Sequence, residues 1–89
     1  MLADDVEERI VKAMQQVGFT ASDAKVYMHL LVKHPATGYE ISAISGVPRS
    51  AIYNVLRRLE SLGLVNAVQD KPAKYVPISP EKLFELIHT

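Results

Sequence analysis

Two glycines, Gly46 and Gly63, bracket one strongly two-faced segment, and a short hairpin pattern follows it at once. At the helical period of about 100° per residue, Val55, Leu56, Leu59 and Leu62 fall within about 80° of Ile52, on one side. Ser50, Tyr53, Asn54, Arg57 and Ser61 fall on the opposite side, with Arg58 at one border. Pro48 fits the first helical position, where a missing N–H loses no partner. Gly63 supplies the stop. Residues 48–62 are therefore expected to be a helix that seats its aliphatic stripe on a core and turns hydrogen-bonding groups outward. Leu64–Gln69 and Lys74–Ile78 then read as two strands around the turn Asp70-Lys71-Pro72-Ala73. Pro77 puts the returning strand at an edge or at its own end.

Upstream, the signals are those of short capped helices. Asp4–Val17 carries Val6, Ile10, Met14 and Val17 on one helical face, its acids in the first turn complement the helix dipole, and Gly18 ends it. Thr20 with Asp23 forms a short-side-chain capping box for a second helix to Lys33, stopped by Pro35, with Ala24, Tyr27, Met28 and Leu31 on its inner face and Leu30 on the flank. Thr37-Gly38-Tyr39-Glu40 is another capping box, opening a short helix to Ser45 with Ile41 and Ile44 inward. After the hairpin, Ser79-Pro80 caps a last helix, Glu81–His88, whose apolar side is Leu83, Phe84 and Ile87.

The expected fold is thus mainly α with a small β-hairpin: a winged helix-turn-helix with an extra N-terminal helix and a C-terminal helix. The 89 residues suit one small domain with a modest core. Residues 1–17 are read as an N-terminal helix and 18–89 as the winged domain. The first helix has no partner inside a minimal winged helix, so its stripe, with Leu2 before it, is expected to face a second monomer. The alternative is packing on the last helix.

Function is read from the outward face of residues 48–62. Its groups suit a duplex: Arg can bond guanine bidentately, Asn can do so with adenine, and Ser and Tyr hydroxyls can hold phosphates. Ile41, the small Ser42, Gly46, Val47, Ile52 and Val55 fit the tight angle between two helices of a helix-turn-helix. Lys71 and Lys74 on the hairpin are placed for phosphates. Net charge is zero, but it is unevenly spread: residues 1–47 carry −2, residues 48–76 carry +3 and residues 77–89 carry −1.

At these residues a family resemblance is carried. Gly18-Phe19-Thr20, Asp23-Ala24-Lys25-Val26-Tyr27, Pro35-Ala36-Thr37-Gly38, Glu40-Ile41-Ser42, Gly46-Val47-Pro48-Arg49-Ser50, Ile52-Tyr53-Asn54-Val55-Leu56 and Leu59-Glu60-Ser61-Leu62-Gly63-Leu64-Val65 together resemble the N-terminal domain of TrmB-like regulators. Pro72-Ala73-Lys74-Tyr75 and Ser79-Pro80-Glu81 resemble that family's wing and following helix. The resemblance spans about residues 18–88. It implies a sequence-specific DNA-binding repressor or activator, usually dimeric; a cytoplasmic location is expected separately, from the absence of cysteine. By position it matches Arg49, Ser50 and Tyr53 to the family's DNA-facing residues and Lys71 and Lys74 to the wing. Asn54, Arg57 and Arg58 join the candidate set from the helical face. Many relatives carry a C-terminal sugar-binding domain beyond the point where this chain stops, as expected of a short regulator or a truncated one. A small-molecule effector is not expected within it.

Other chemistries find little support. Cysteine is absent, so thiolate metal sites, disulfides and thiol nucleophiles are excluded. His29, His34 and His88 lack metal-ligand spacing. No phosphate-cradling glycine loop or nucleophile motif occurs. No catalytic residue, metal or cofactor is therefore expected, and no apolar stretch reaches the ~20 residues of a membrane span. A second reading stays open: a winged-helix protein-interaction module without DNA binding, which the zero net charge favours.

Overall fold

A computed structural model describes residues 4–87, with side chains for residues 7–86. Leu2 and His88 lie outside it, as do the side chains of Val6 and Ile87. The order is α1 (Asp4–Gln16), α2 (Ala21–Val32), β1 (Ala36–Thr37), α3 (Gly38–Ser45), α4 (Arg49–Ser61), β2 (Val65–Asp70), β3 (Ala73–Pro77) and α5 (Pro80–Ile87). This is a winged helix-turn-helix. No described helix is long and apolar enough to cross a membrane.

Both capping boxes form. The Thr20 hydroxyl accepts from the Asp23 N–H at 3.0 Å, and the Asp23 carboxylate accepts from the Thr20 N–H at 2.9 Å. Thr37 and Glu40 repeat the exchange at 3.1 and 2.9 Å. Each box pairs two otherwise orphaned N–H groups at a helix start. Gly46 (φ 78°) and Gly63 (φ 82°) take the left-handed conformation that ends α3 and α4, which a side chain would strain.

The core gathers Val26, Tyr27, Leu30, Ile41, Ile52, Leu56, Leu59, Leu64 and Val65, all nearly or fully excluded from water. α2 lies at its centre, against α1, α3, α4 and β3. Met14 of α1 is buried, and Ile10 and Val11 pack against the same core. The first helix thus has a partner inside the chain, α2.

The hairpin is part of a three-stranded antiparallel sheet in the order β1-β3-β2. The added strand pairs Ala36 with Tyr75 and Thr37 with Lys74. Pro77 stands at the end of the central strand β3, where no ladder bond is lost. Between Ala67 and Gln69 the register shifts by a bulge, leaving Val68 exposed.

Four details correct the sequence reading. α4 begins at Arg49, with Pro48 as its cap residue. Leu62 is half-exposed, because the helix ends at Ser61 and the chain already turns toward Gly63. Ile44 is 40% exposed, and Ser45 takes the inward place one residue on. On α5 only Leu83 is buried among the described side chains, while Phe84 lies outward.

Candidate nucleic-acid interface

The turn between α3 and α4 is closed by two serines. The Ser42 hydroxyl donates to the Val47 carbonyl at 2.6 Å, and the Ser45 hydroxyl accepts from the Val47 N–H at 3.2 Å. Val47 itself is buried. A serine thus suits this inter-helix position: it fits the close contact and satisfies a carbonyl that the turn would leave unpaired.

α4 leaves this turn with Ile52, Leu56 and Leu59 fully buried. Its other side exposes Arg49, Ser50, Tyr53, Asn54, Arg57 and Ser61. Among the described residues no side chain caps the N-terminus of α4. Lys71 is exposed at the wing tip and Lys74 lies half-buried at the wing root, opposite Thr37.

Arg58 differs from the other candidates. Its guanidinium Nη2 pairs with the Asp23 carboxylate and reaches the Thr20 hydroxyl at 3.3 Å. Asp23 is only 1% exposed, and its Oδ1 has no hydrogen-bond partner among the described residues. Accepting that bond, the Asp23 carboxylate makes the Arg58 guanidinium hold its proton more tightly than an ordinary one. Arg58 therefore ties the C-terminal half of α4 to the start of α2 and has fewer donors left for an outside ligand.

Two residues the sequence reading left aside belong to this surface. Tyr39, at the start of α3, lies under the Arg49 guanidinium, 4.3 Å from Cζ to ring centroid. Gly38 lies against the Tyr53 ring, close enough that an added Cβ would stand 2.5 Å from Cε1. Tyr75 of β3 sits beneath the same region. Burial pushes its phenol up, Glu60 and Tyr53 add to this, and Arg57 opposes it. The Glu40 carboxyl is held below the usual range, first by its bond from the Thr37 N–H and then by the Thr37 hydroxyl, with Lys33 and Lys74 adding charge.

The wing is fixed at its root. The Ile78 N–H donates to the Leu64 carbonyl at 2.9 Å, closing the hairpin. The buried Tyr27 hydroxyl donates to the Ile78 carbonyl at 2.9 Å, binding the wing to α2. The histidines stay with their own helices: Nδ1 of His29 lies 2.7 Å from the Lys25 carbonyl and that of His34 2.6 Å from the Leu30 carbonyl. Among the described residues no cluster of His, Asp and Glu has the arrangement of a metal site.

Known proteins share this architecture. Residues 14–81 match the family described as sugar-specific transcriptional regulator TrmB. The HTH-type sugar sensing transcriptional regulator TrmBL1 of Pyrococcus furiosus is 34% identical over 82 residues, 92% of this chain and 24% of that protein. The DNA-binding HTH-type transcriptional repressor TrmBL2 of Thermococcus kodakarensis is 32% identical over 81 residues, 90% of this chain and 31% of the relative. Among solved structures, TrmBL2, described as an archaeal chromatin protein with a novel mode of DNA binding, superposes with a TM-score of 0.84 at 29% identity, covering 92% of this chain and 32% of that one. This chain spans about a quarter to a third of the length of these relatives. Fold and family are those of transcription regulators rather than enzymes, and the chain belongs to the TrmB family.

Proposed function

We propose that this chain is the DNA-reading module of a transcriptional regulator, with α4 in the major groove and the wing on neighbouring phosphates. One observation carries the reading. The same helix that buries Ile52, Leu56 and Leu59 completely leaves Arg49, Ser50, Tyr53, Asn54 and Arg57 exposed together. A helix so presented fits the ~12 Å major groove. Arg49 and Arg57 offer forked donors to guanine, and Asn54 a donor–acceptor pair to adenine. The Ser50 and Tyr53 hydroxyls and the uncapped first turn of α4 suit phosphate oxygens. Lys71 and Lys74 add phosphate contacts, which raise affinity on every sequence. Arg58, through Asp23, holds the helix that does the reading. A relative named as a DNA-binding repressor supports the partner.

The working form is a homodimer on two half-sites, which gives a single short domain enough affinity. An apolar groove lined by Val17, Phe19, Leu62, Leu64 and Leu83 offers it a surface. A DNA partner implies a cytoplasmic location.

Fluorescence anisotropy on the duplex upstream of the chain's own operon, across a salt series, tests this. Affinity falls linearly with salt on a log–log plot. Arg49→Ala or Arg57→Ala weakens binding by roughly 1–3 kcal/mol where that arginine reads a base. Absent or salt-independent binding overturns the reading. The zero net charge favours the protein-interaction alternative. A stoichiometric protein partner lost on Tyr53→Ala, with no duplex bound, decides for it.

A further inference from the structure

We infer that the first turn of α3, Gly38 and Tyr39, is a platform that presets two side chains of α4, Arg49 and Tyr53, before any duplex arrives. The inference rests on the DNA reading above and adds two positioning residues to it.

Two separate contacts carry it. The Arg49 guanidinium lies over the Tyr39 ring, 4.3 Å from Cζ to centroid, within cation–π range. Tyr39 is 56% exposed, so core burial does not explain an aromatic there. Stacking on a ring face leaves the edge N–H groups of a guanidinium free for a bidentate acceptor and removes rotamers that binding would otherwise have to freeze.

The second contact explains a glycine. Gly38 is helical, and it is not among the glycines with positive φ, so its backbone does not demand glycine. Alanine would favour the helix more. What a Cβ there would meet is Tyr53: its Cε1 at 2.5 Å, Cζ at 2.8 Å and hydroxyl oxygen at 3.0 Å. The missing side chain is the seat of that ring. One turn of α3 thus holds the Arg49 plane through Tyr39 and the Tyr53 ring through Gly38.

The test uses a duplex recovered from a random pool with the unaltered chain, a scrambled duplex, and proton NMR of the free chain. Tyr39→Ala lowers affinity for the selected duplex about three- to fivefold, the worth of an exposed cation–π contact, and Tyr39→Phe preserves it. On the scrambled duplex Tyr39→Ala has little effect. Tyr39→Ala adds nothing to Arg49→Ala, because the platform acts through the arginine. Gly38→Ala stays folded by thermal melting but weakens selective binding, and in a Tyr53→Ala background it becomes silent. In the free chain the Arg49 δ-methylene protons are shifted upfield by the ring, retained in Tyr39→Phe and lost in Tyr39→Ala.

Additive losses for Tyr39 and Arg49, equal losses on both duplexes, unfolding of Gly38→Ala or unshifted Arg49 protons would each overturn the platform. Failure of the unaltered chain to select any duplex defeats the DNA reading instead, and the proton shifts then judge the platform alone.

Discussion

The turn from α3 to α4 is pinned to the core through Val47, whereas the outer wing stands in solvent. Val47 is buried in the turn, with both its N–H and its carbonyl bonded to serine hydroxyls. In β2 only Val65 is buried, and the five residues after it are exposed. The wing takes its geometry from its root, where Tyr75 is buried, Ile78 bonds Leu64, and Tyr27 bonds Ile78. Each half therefore has its own failure mode. Damage to the first unseats the reading helix and the fold with it. Damage to the outer wing leaves the fold intact and touches only what the wing contacts.

The largest effect that sharpens this contrast lies under α4. Leu56→Ala empties a fully buried site and lowers stability by about 3 kcal/mol, while Val68→Ala on the wing changes it by about 0.5 kcal/mol or less. Denaturant melts measure both, and equal losses would break the contrast. Next comes Arg58→Ala, which strands the buried Asp23 carboxylate and lowers stability by about 1–2 kcal/mol, solvent around the half-exposed Arg58 screening part of the loss, with Arg58→Lys intermediate.

A smaller effect tests the join between the halves. The Tyr27 phenol is pushed up to about 12, first by burial and then by the Glu81 charge. Above a pH of about 10 the unfolded phenol gives up its proton and the folded one keeps it. The stability it contributes is whole below that pH and drains away as pH rises to about 12. Tyr27→Phe loses about 1 kcal/mol at neutral pH through the unpaired Ile78 carbonyl, and flattens this alkaline decline relative to the parent chain. Smallest for the fold is Lys71→Ala, which leaves the melt unchanged and reduces the salt slope of duplex binding by about one.

Much of the frame was legible in the residues because its signals are local. A Thr and an acid three residues apart find each other wherever the chain goes, so both capping boxes could be read directly. Ile52, Leu56 and Leu59 share a helical face by spacing alone. What escaped depends on contacts distant in sequence or on where an element stops. β1 is two residues long and exists only because β3 lies beside it. Leu62 kept the spacing of the buried stripe, but the helix had ended. Arg58 has the chemistry of its neighbour Arg57, and only the fold brings it to Asp23, 35 residues earlier. Tyr39 and Gly38 joined the surface for the same reason: the crossing of α3 and α4 sets what they touch.

Thr37 belongs to both halves at once. It pairs with Lys74 in the sheet, and its hydroxyl caps the helix that abuts α4. A molecule joined at such a point behaves like a calliper with one opening. For a duplex bound as proposed, α4 and the wing keep one separation on the DNA, so a duplex whose groove already sets base edges and phosphates at that separation binds without being deformed.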